Sequence, residues 1–343
     1  MMGKKKQSNQ VLGLSFEGRR LEGAIAKRIR GGSYRVQTGI SRELSLNPLA
    51  DDPELVGREI KDQLAESGLS EKHCVVGIPL EWTLTNLIKL PDVPEEHLSG
   101  FIRLQAEKGF PFGLEDLSVS VSRVAGDSGE NYALITAVPR KHIDLLDRTL
   151  GYAGLKPVSF SLGILALDET QGQQGDNSLM LFVNAEGVAV LVRGQGGIVS
   201  LRSLKDAFIG DEPVRRLNGQ AVARELRITL GQIPAGVRQR LKKIRILGAT
   251  GLASTLATEI TAKANALGLE VEAVAPFQPN GSPVNLPISG SISPALALAT
   301  RYLEKPAQTL EYLPPKVSQW ARIAKRLASR KAGILGGVAG AVV

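Results

Sequence analysis

Four residues, Gly248-Ala249-Thr250-Gly251, lie between an apolar run at 244–247 and a helical pattern that starts at 252. A glycine-rich turn in that setting lets backbone N–H groups approach a phosphate or a nucleoside, because no Cβ stands in the way. The same turn serves any strand-to-helix connection, so alone it identifies no ligand. Other reactive side chains are sparse. The three histidines, His73, His97 and His142, are scattered. The single cysteine, Cys74, excludes a disulfide framework, a zinc cluster and a paired-thiol redox motif. No Ser/His/Asp or Cys/His grouping has a local signature of nucleophilic catalysis, and His73 beside Cys74 reads as a strand-edge residue. No metal site is expected.

Charge is the next candidate for chemistry. The 343 residues carry a formal charge of +8, with 42 Lys and Arg against 34 Asp and Glu. Nine of those cations are terminal: Lys4, Lys5 and Lys6, then Lys316, Arg322, Lys325, Arg326, Arg330 and Lys331. The remainder, 33 basic against 34 acidic side chains, is nearly neutral. One internal stretch, 213–246, is locally basic, with Arg215, Arg216, Arg224, Arg227, Arg238, Arg240, Lys242, Lys243 and Arg245 against Glu225 alone. Nucleic-acid surfaces interleave such charge with aromatic rings that stack on bases. This stretch has none, so a solvated surface or an acidic partner is the expected reading, and no nucleic-acid partner is expected.

The C-terminal residues 332–343 form an uncharged run of twelve behind the basic segment. Crossing a bilayer takes about 20 apolar residues. A basic segment followed by half an apolar helix fits the start of a transmembrane helix cut short, with the body on the cytoplasmic side. The other reading is a frayed Gly/Ala tail.

The elements that must position these residues fall into two similar halves. Runs at 11–15, 21–27 and 33–40 predict three strands. A helix follows, with Asp52 as N-cap, Pro53 at N1, an apolar face at Leu55, Val56, Ile60 and Leu64, and Gly68 at its end. A buried strand is expected at 74–78. The second half repeats the order: strands at 179–183, 188–192 and 198–201, a helix over 213–230, a strand at 244–247, a helix over 252–267 and a return through 269–274. Between the first half's buried strand and its last helix lies extra material, 80–137, with strands at 82–89, 117–124 and 132–138 and a helix at 94–108. The fold class is therefore α/β with a duplicated mixed sheet and an inserted subdomain. The domain plan is a disordered start at 1–10, a first half at 11–171 with the insert at 80–137, a second half at 177–305, a linker with a basic stretch at 306–331, and the apolar run at 332–343. A linking helix spans 162–171, and 172–177 is a polar hinge.

Several stretches in this order resemble the type IV pilus PilM proteins, in the FtsA/PilM/GspL branch of the actin-like superfamily. They are Ile88-Lys89-Leu90-Pro91, Gln105-Ala106-Glu107-Lys108-Gly109-Phe110-Pro111-Phe112 and Ala137-Val138-Pro139-Arg140, then Gly154-Leu155-Lys156-Pro157 and Ala166-Leu167, with Val274-Ala275-Pro276-Phe277 and 295–299 further on. The resemblance covers about residues 10–305 and implies an actin-like, ribonuclease H-like duplicated fold. It also implies ATP and Mg²⁺ between the halves, held by one phosphate hairpin from each and by a glycine-rich turn.

This chain departs from that pattern. Ser15 and Glu17 stand where the first hairpin of the family has an Asp and then a Gly, the nearby family Lys falls on Glu22, and the second hairpin, with Asn184, has no acid. Only Gly248, Thr250 and Gly251 retain part of the third element. A carboxylate facing polyphosphate is repulsive in a desolvated cleft, so the expectation is a degenerate nucleotide cleft with neither ATP nor Mg²⁺. The alternative is an active actin-like ATPase that switches or polymerises.

The resemblance further implies PilN/PilO-like or GspM-like membrane partners, an assembly ATPase and possible homo-oligomers. A partner groove beside the insert would include Ile88, Leu90, Phe101, Leu104 and Phe112. Finally, Leu310-Glu311-Tyr312-Leu313-Pro314-Pro315-Lys316 is similar to the cytoplasmic start of PilN. The docking peptide would use Tyr312, Leu313 and Pro314, on this body or a neighbour's. The implied function is a non-catalytic scaffold at the cytoplasmic face of the bacterial inner membrane.

Overall fold

Each half is built on a strand ladder whose central members are buried on both faces. The computed structural model describes residues 9–29, 34–126, 129–170, 177–210, 215–248, 250–274, 293–304 and 310–313. The chain divides between Tyr312 and Leu313, and the fold below is that of the first unit. Residues 1–8, 305–309 and 314–343 lie outside the described residues. So do Pro314, the basic stretch behind it and the apolar run 332–343. Within the expected disordered start, Gln10 already belongs to a strand and Asn9 accepts a hydrogen bond from Arg28 N at 2.7 Å. Among the described residues no helix is long and apolar enough to cross a membrane.

The first half opens with β1 (Gln10–Glu17), β2 (Arg20–Arg28) and β3 (Tyr34–Glu43). Gly18 takes the left-handed turn between the first two, at φ 55°. Helix α1 (Pro53–Glu66) starts where Asp52 accepts from Glu54 N and Leu55 N, and it buries Val56, Gly57, Ile60 and Leu64. Strand β4 (His73–Ile78) follows. The insert comprises β5 (Leu84–Leu90), α2 (Glu95–Gly109), β6 (Leu117–Ala125) and β7 (Asn131–Pro139). The chain then returns through α3 (Arg140–Tyr152), β8 (Lys156–Leu162) and α4 (Gly163–Thr170).

The second half runs β9 (Ser178–Val183), β10 (Val188–Gly194), β11 (Gly197–Leu204), β12 (Phe208–Ile209), β13 (Arg216–Leu217), α5 (Gly219–Gln232), α6 (Ala235–Arg240), β14 (Lys243–Gly248), α7 (Thr250–Asn265) and β15 (Glu270–Ala273), and ends in α8 (Pro294–Glu304).

The two large sheets repeat one plan. The first has the order β3-β2-β1-β4-β8 and the second β11-β10-β9-β14-β15. In the first, β1 pairs antiparallel with β2 and parallel with β4; in the second, β9 does the same with β10 and β14. That duplicated ribonuclease H-like topology is the actin-like fold. The insert forms its own sheet, β5-β7-β6, covered by Leu98, Ile102 and Ala106 of α2.

Three expectations are corrected. The segment 156–162 is a strand that the sequence pattern does not announce, because Ser159 and Ser161 occupy buried positions where an apolar alternation would be looked for. The helix placed at 213–230 begins at Gly219, where Asn218 caps it by accepting from Ala221 N; Arg216 and Leu217 belong to the short β12–β13 pair instead. Helix α8 falls in the range assigned to the second half but packs on the first sheet. A Cβ at Gly13 of β1 would stand 1.8 Å from Ala295 O, and one at Gly77 of β4 would stand 2.8 Å from Leu298 Cδ1. Only glycine lets the helix approach that closely.

Candidate functional site

The turn after β1 and the turn after β9 meet at the front of the molecule. Asn184 shapes the second turn, its Oδ1 accepting from Glu186 N at 3.0 Å and Gly187 N at 2.9 Å. Its side chain lies beside the Glu17 carboxylate and favours its charged form. A Cβ on Gly18 would stand 2.9 Å from Glu186 Oε1. The two hairpins thus lie directly against each other. Beside this contact lies a cavity of about 410 Å³, whose lining includes Ser15, Glu17, Glu81, Asn184, Glu186 and Arg215. Arg215 is already engaged: it donates to Ala185 O at 2.7 Å and Glu186 O at 3.2 Å, and lies over the Phe208 ring at 4.6 Å.

Burial pushes the Glu17 carboxyl above the usual carboxylate range, with the Asn184 side chain working against that shift. Glu22, one turn away, accepts from Ser293 Oγ at 3.1 Å. Burial first, and the Glu17 charge second, push its carboxyl up to about 8. A cavity walled by carboxylates favours protons or cations over polyphosphate. Among the described residues that line it, Gly248 and Gly251 are not included. Gly248 has φ 141°, and a Cβ there would stand 2.1 Å from Val183 O, so this glycine serves the close approach of β14 to β9. Among the described residues no group of three or more His, Cys, Asp and Glu is placed to hold a metal.

A second site lies between β8 and the insert, and it is occupied by the chain's own residues 310–312. Tyr312 is fully buried. Its Oη hydrogen-bonds Thr136 Oγ1 at 2.9 Å, and that hydroxyl donates to Ser120 O at 3.1 Å. Burial raises the phenol well above its ordinary value. The peptide backbone is held on both sides. Tyr312 N donates to Phe160 O at 2.9 Å, Ser118 Oγ donates to Tyr312 O at 2.7 Å, and Ser161 Oγ donates to Leu310 O at 2.8 Å. Glu311 N donates to Ser120 Oγ at 3.3 Å. The Glu311 carboxylate accepts from Ser159 Oγ at 2.6 Å and Phe160 N at 2.9 Å. The segment therefore straps the first sheet to the insert.

Strand alternation builds this groove. On β6, Leu117 and Val121 face the insert core, while Ser118, Ser120 and Ser122 face the other way. The first two serines hold the strap, and Ser122 Oγ accepts from Ile198 N of β11 at 2.9 Å. The run Leu-Ser-Val-Ser-Val-Ser at 117–122 carries this signal in the sequence, as does Ser-Phe-Ser at 159–161.

The groove expected beside the insert is not where the structure puts it. Ile88 and Leu90 are core residues of the insert, packed with Leu98, Ile102, Ala106 and Phe110, and Phe101 packs against the same cluster. Leu104 and Phe112 instead point to solvent, at 46% and 44% exposure. Ile88, Leu90 and Phe101 help hold α2 on its sheet while Leu104 and Phe112 stand outside, and Leu90 also lines a depression of about 740 Å³ between the insert and the β10–β11 turn. Of the expected docking peptide, Tyr312 lies in the β8–insert groove, Leu313 begins the second unit, and Pro314 lies outside the described residues.

Sequence reasoning also missed a buried charge cluster behind the cleft. Asp168 and Glu169 of α4 meet Arg193 of β10, with Arg193 Nε to Asp168 Oδ2 at 2.7 Å and Arg193 Nη2 to Glu169 Oε1 at 3.7 Å. Arg245 of β14 lies 4.0 Å from Asp168, and Arg301 of α8 pairs with Glu169. Two consecutive acids on the linking helix thereby join elements of both sheets. Their sequence signal was weak because each partner comes from a distant element.

The repeated five-stranded sheets, the insert between β4 and α3 and the paired turns at the front define an actin-like α/β protein. No family model matches the sequence, and no curated protein does. Among solved structures, a chain of a PilM-PilN type IV pilus biogenesis complex is similar at 18% identity and a TM-score of 0.58, over 77% of this chain and 88% of that one. The cytoplasmic domain of EpsL, an inner membrane component of the type II secretion system of Vibrio cholerae, is similar at 11% identity and a TM-score of 0.44, over 87% and 95%. A Bacteroides thetaiotaomicron protein with an actin-like ATPase fold and unknown function is similar at 12% and 0.43, over 79% and 93%.

Proposed function

We propose that this chain is a non-catalytic scaffold on the cytoplasmic side of a bacterial inner membrane, in the assembly platform of a type IV pilus or a type II secretion machine. In this reading its binding function resides in the groove between β8 and the insert, and its nucleotide cleft is degenerate. The observation that carries the proposal is the seating of Leu310, Glu311 and Tyr312, which fills that groove with an extended peptide. The likeness in fold to a chain of the PilM-PilN complex supports a PilN-like membrane protein as partner, and the reading extends this to GspM-like proteins. The cleft supports the non-catalytic part: Glu17, Glu81 and Glu186 line the space that phosphates would need, and Asn184 lies beside Glu17.

Isothermal titration of the full chain with ATP and Mg²⁺ tests the degenerate cleft. No measurable heat of binding is expected. Low-micromolar binding would overturn this reading in favour of an actin-like ATPase.

A further inference from the structure

The second half carries a run of exposed positive charge. From Arg215 to Lys243 the chain has eight Lys and Arg and one carboxylate, Glu225. All of these cations except the half-buried Arg215 are exposed. Three large aliphatic side chains of the same half also stand in solvent, Ile209 at 57%, Ile228 at 40% and Leu267 at 43%. Each has a cation beside it. Ile209 is the cross-strand partner of Arg216, Ile228 lies one helical turn beyond Arg224 on α5, and Leu267 follows Lys263 by four residues just past α7.

One open depression of about 420 Å³ joins these elements. Arg224, Arg227 and Lys263 line it with Asn218, Gln220 and Asp206. Nearby carboxylates have other duties: Glu225 pairs with Arg202 at 2.9 Å and Glu259 accepts from Gly219 N at 2.8 Å. Arg224 approaches Glu225 only at 3.7 Å. Arg227 and Lys263 form no ion pair among the described residues.

Cations set beside exposed aliphatics are the composition of a surface that lies on a bilayer. The aliphatic group enters the boundary between headgroups and acyl chains, and the long basic side chains reach lipid phosphates. A nucleic-acid surface would pair these cations with exposed aromatic rings; residues 213–246 contain none, and the ring that β12 brings to this face, Phe208, is half-buried under Arg215. We propose that the face formed by the β12–β13 pair, α5 and the end of α7 is a peripheral binding surface for an anionic phospholipid bilayer. The proposal goes beyond the scaffold reading and does not depend on the state of the cleft or the occupant of the groove.

Flotation of the full chain tests it, with vesicles of phosphatidylcholine alone and of phosphatidylcholine mixed with phosphatidylglycerol. The basic segment 316–331 is present in every variant, so the contribution of this face is read from differences between variants. The wild-type chain is expected to prefer the mixed vesicles, with a preference that weakens as salt rises. R224E/R227E/K263E is expected to bind them more than about a hundredfold more weakly, because loss of three cations, each worth about a factor of five at such a surface, already accounts for that much. Its binding to neutral vesicles should be unchanged. I228S/L267S should also weaken binding, on both compositions. Should the triple variant lose its fold by circular dichroism, the milder R224Q/R227Q/K263Q replaces it, with a smaller loss in the same direction. Wild-type affinity in the charge variants overturns the proposal. So does a wild-type chain that treats the two vesicle types alike, an outcome that would leave the face to an acidic protein.

Discussion

The cleft and the strap groove both keep a carboxylate away from bulk water, and they do so in opposite ways. In the cleft, Glu17 and Glu22 lie near each other, burial raises both, and each keeps its charge at the other's expense. In the groove, the Glu311 carboxylate accepts two short hydrogen bonds from groups already fixed by β8. A buried charge without matched donors neutralises by shifting its pKa, whereas one with matched donors can contribute to binding. The preorganised donors of β8 and the insert hold the chain's own segment 310–312. The space left between the hairpins is lined by Glu17, Glu81 and Glu186 together with the already engaged Arg215.

Substitutions that unbalance this contrast should rank as follows. Tyr312→Ala removes a fully buried aromatic ring and its bond to Thr136, and should destabilise the chain by about 3–5 kcal/mol in denaturant unfolding if the strap unfolds with the body. A smaller loss, with new protease cleavage near residue 310, would mean that the strap leaves independently. Glu311→Ala leaves the Ser159 hydroxyl and the Phe160 N–H without this acceptor, a cost of about 1–3 kcal/mol in the same measurement. An unchanged unfolding midpoint would show that these bonds are not formed in solution.

In the cleft the sign reverses. Glu22 has a raised carboxyl in the folded state, so its own contribution to stability is fullest below the ordinary value of 4.5 and is lost as pH climbs through about 8. Glu22→Gln should therefore melt close to wild type at pH 4 and a few degrees above it at pH 8, at roughly 2–4 °C per kcal/mol relieved. A midpoint difference that stays flat across that window would contradict the assignment. Thr136→Val is the mildest change, expected to cost about 1 kcal/mol by unpairing Tyr312 Oη. It should leave the cleft's pH response untouched.

Much of the architecture was legible in the sequence because local chemistry and burial agree there. Asp52 and Pro53 start α1 where the cap geometry requires, and the apolar runs of β1, β4, β9 and β14 mark strands covered on both faces. The inserted subdomain was legible too, since its strands and helix keep clean periods. The failures share a cause, which is partnership with distant residues. Strand β8 is hidden by serines whose partners are some 150 residues away, and α8 carries nothing in its own pattern to say which sheet it covers. At the site, Ser15, Glu17 and Asn184 were found as hairpin residues. Ser118, Ser120, Thr136, Ser159 and Ser161 were overlooked as a groove because polar residues on a strand read as solvent-facing when the covering segment is far along the chain. Ile88 and Leu90 were misplaced for the converse reason, since apolar residues beside an insert look like a binding surface until its own helix is seen to cover them.

The central claim is that the groove between β8 and the insert holds the chain's own extended segment. Amide hydrogen exchange at Tyr312 in the intact full chain tests it most directly, because that N–H donates to Phe160 O at 2.9 Å under a fully buried ring. The account predicts strong protection there, lost selectively in Tyr312→Ala at the amides of residues 310–312. Exchange at the rate of an unstructured peptide in the wild-type chain would contradict it.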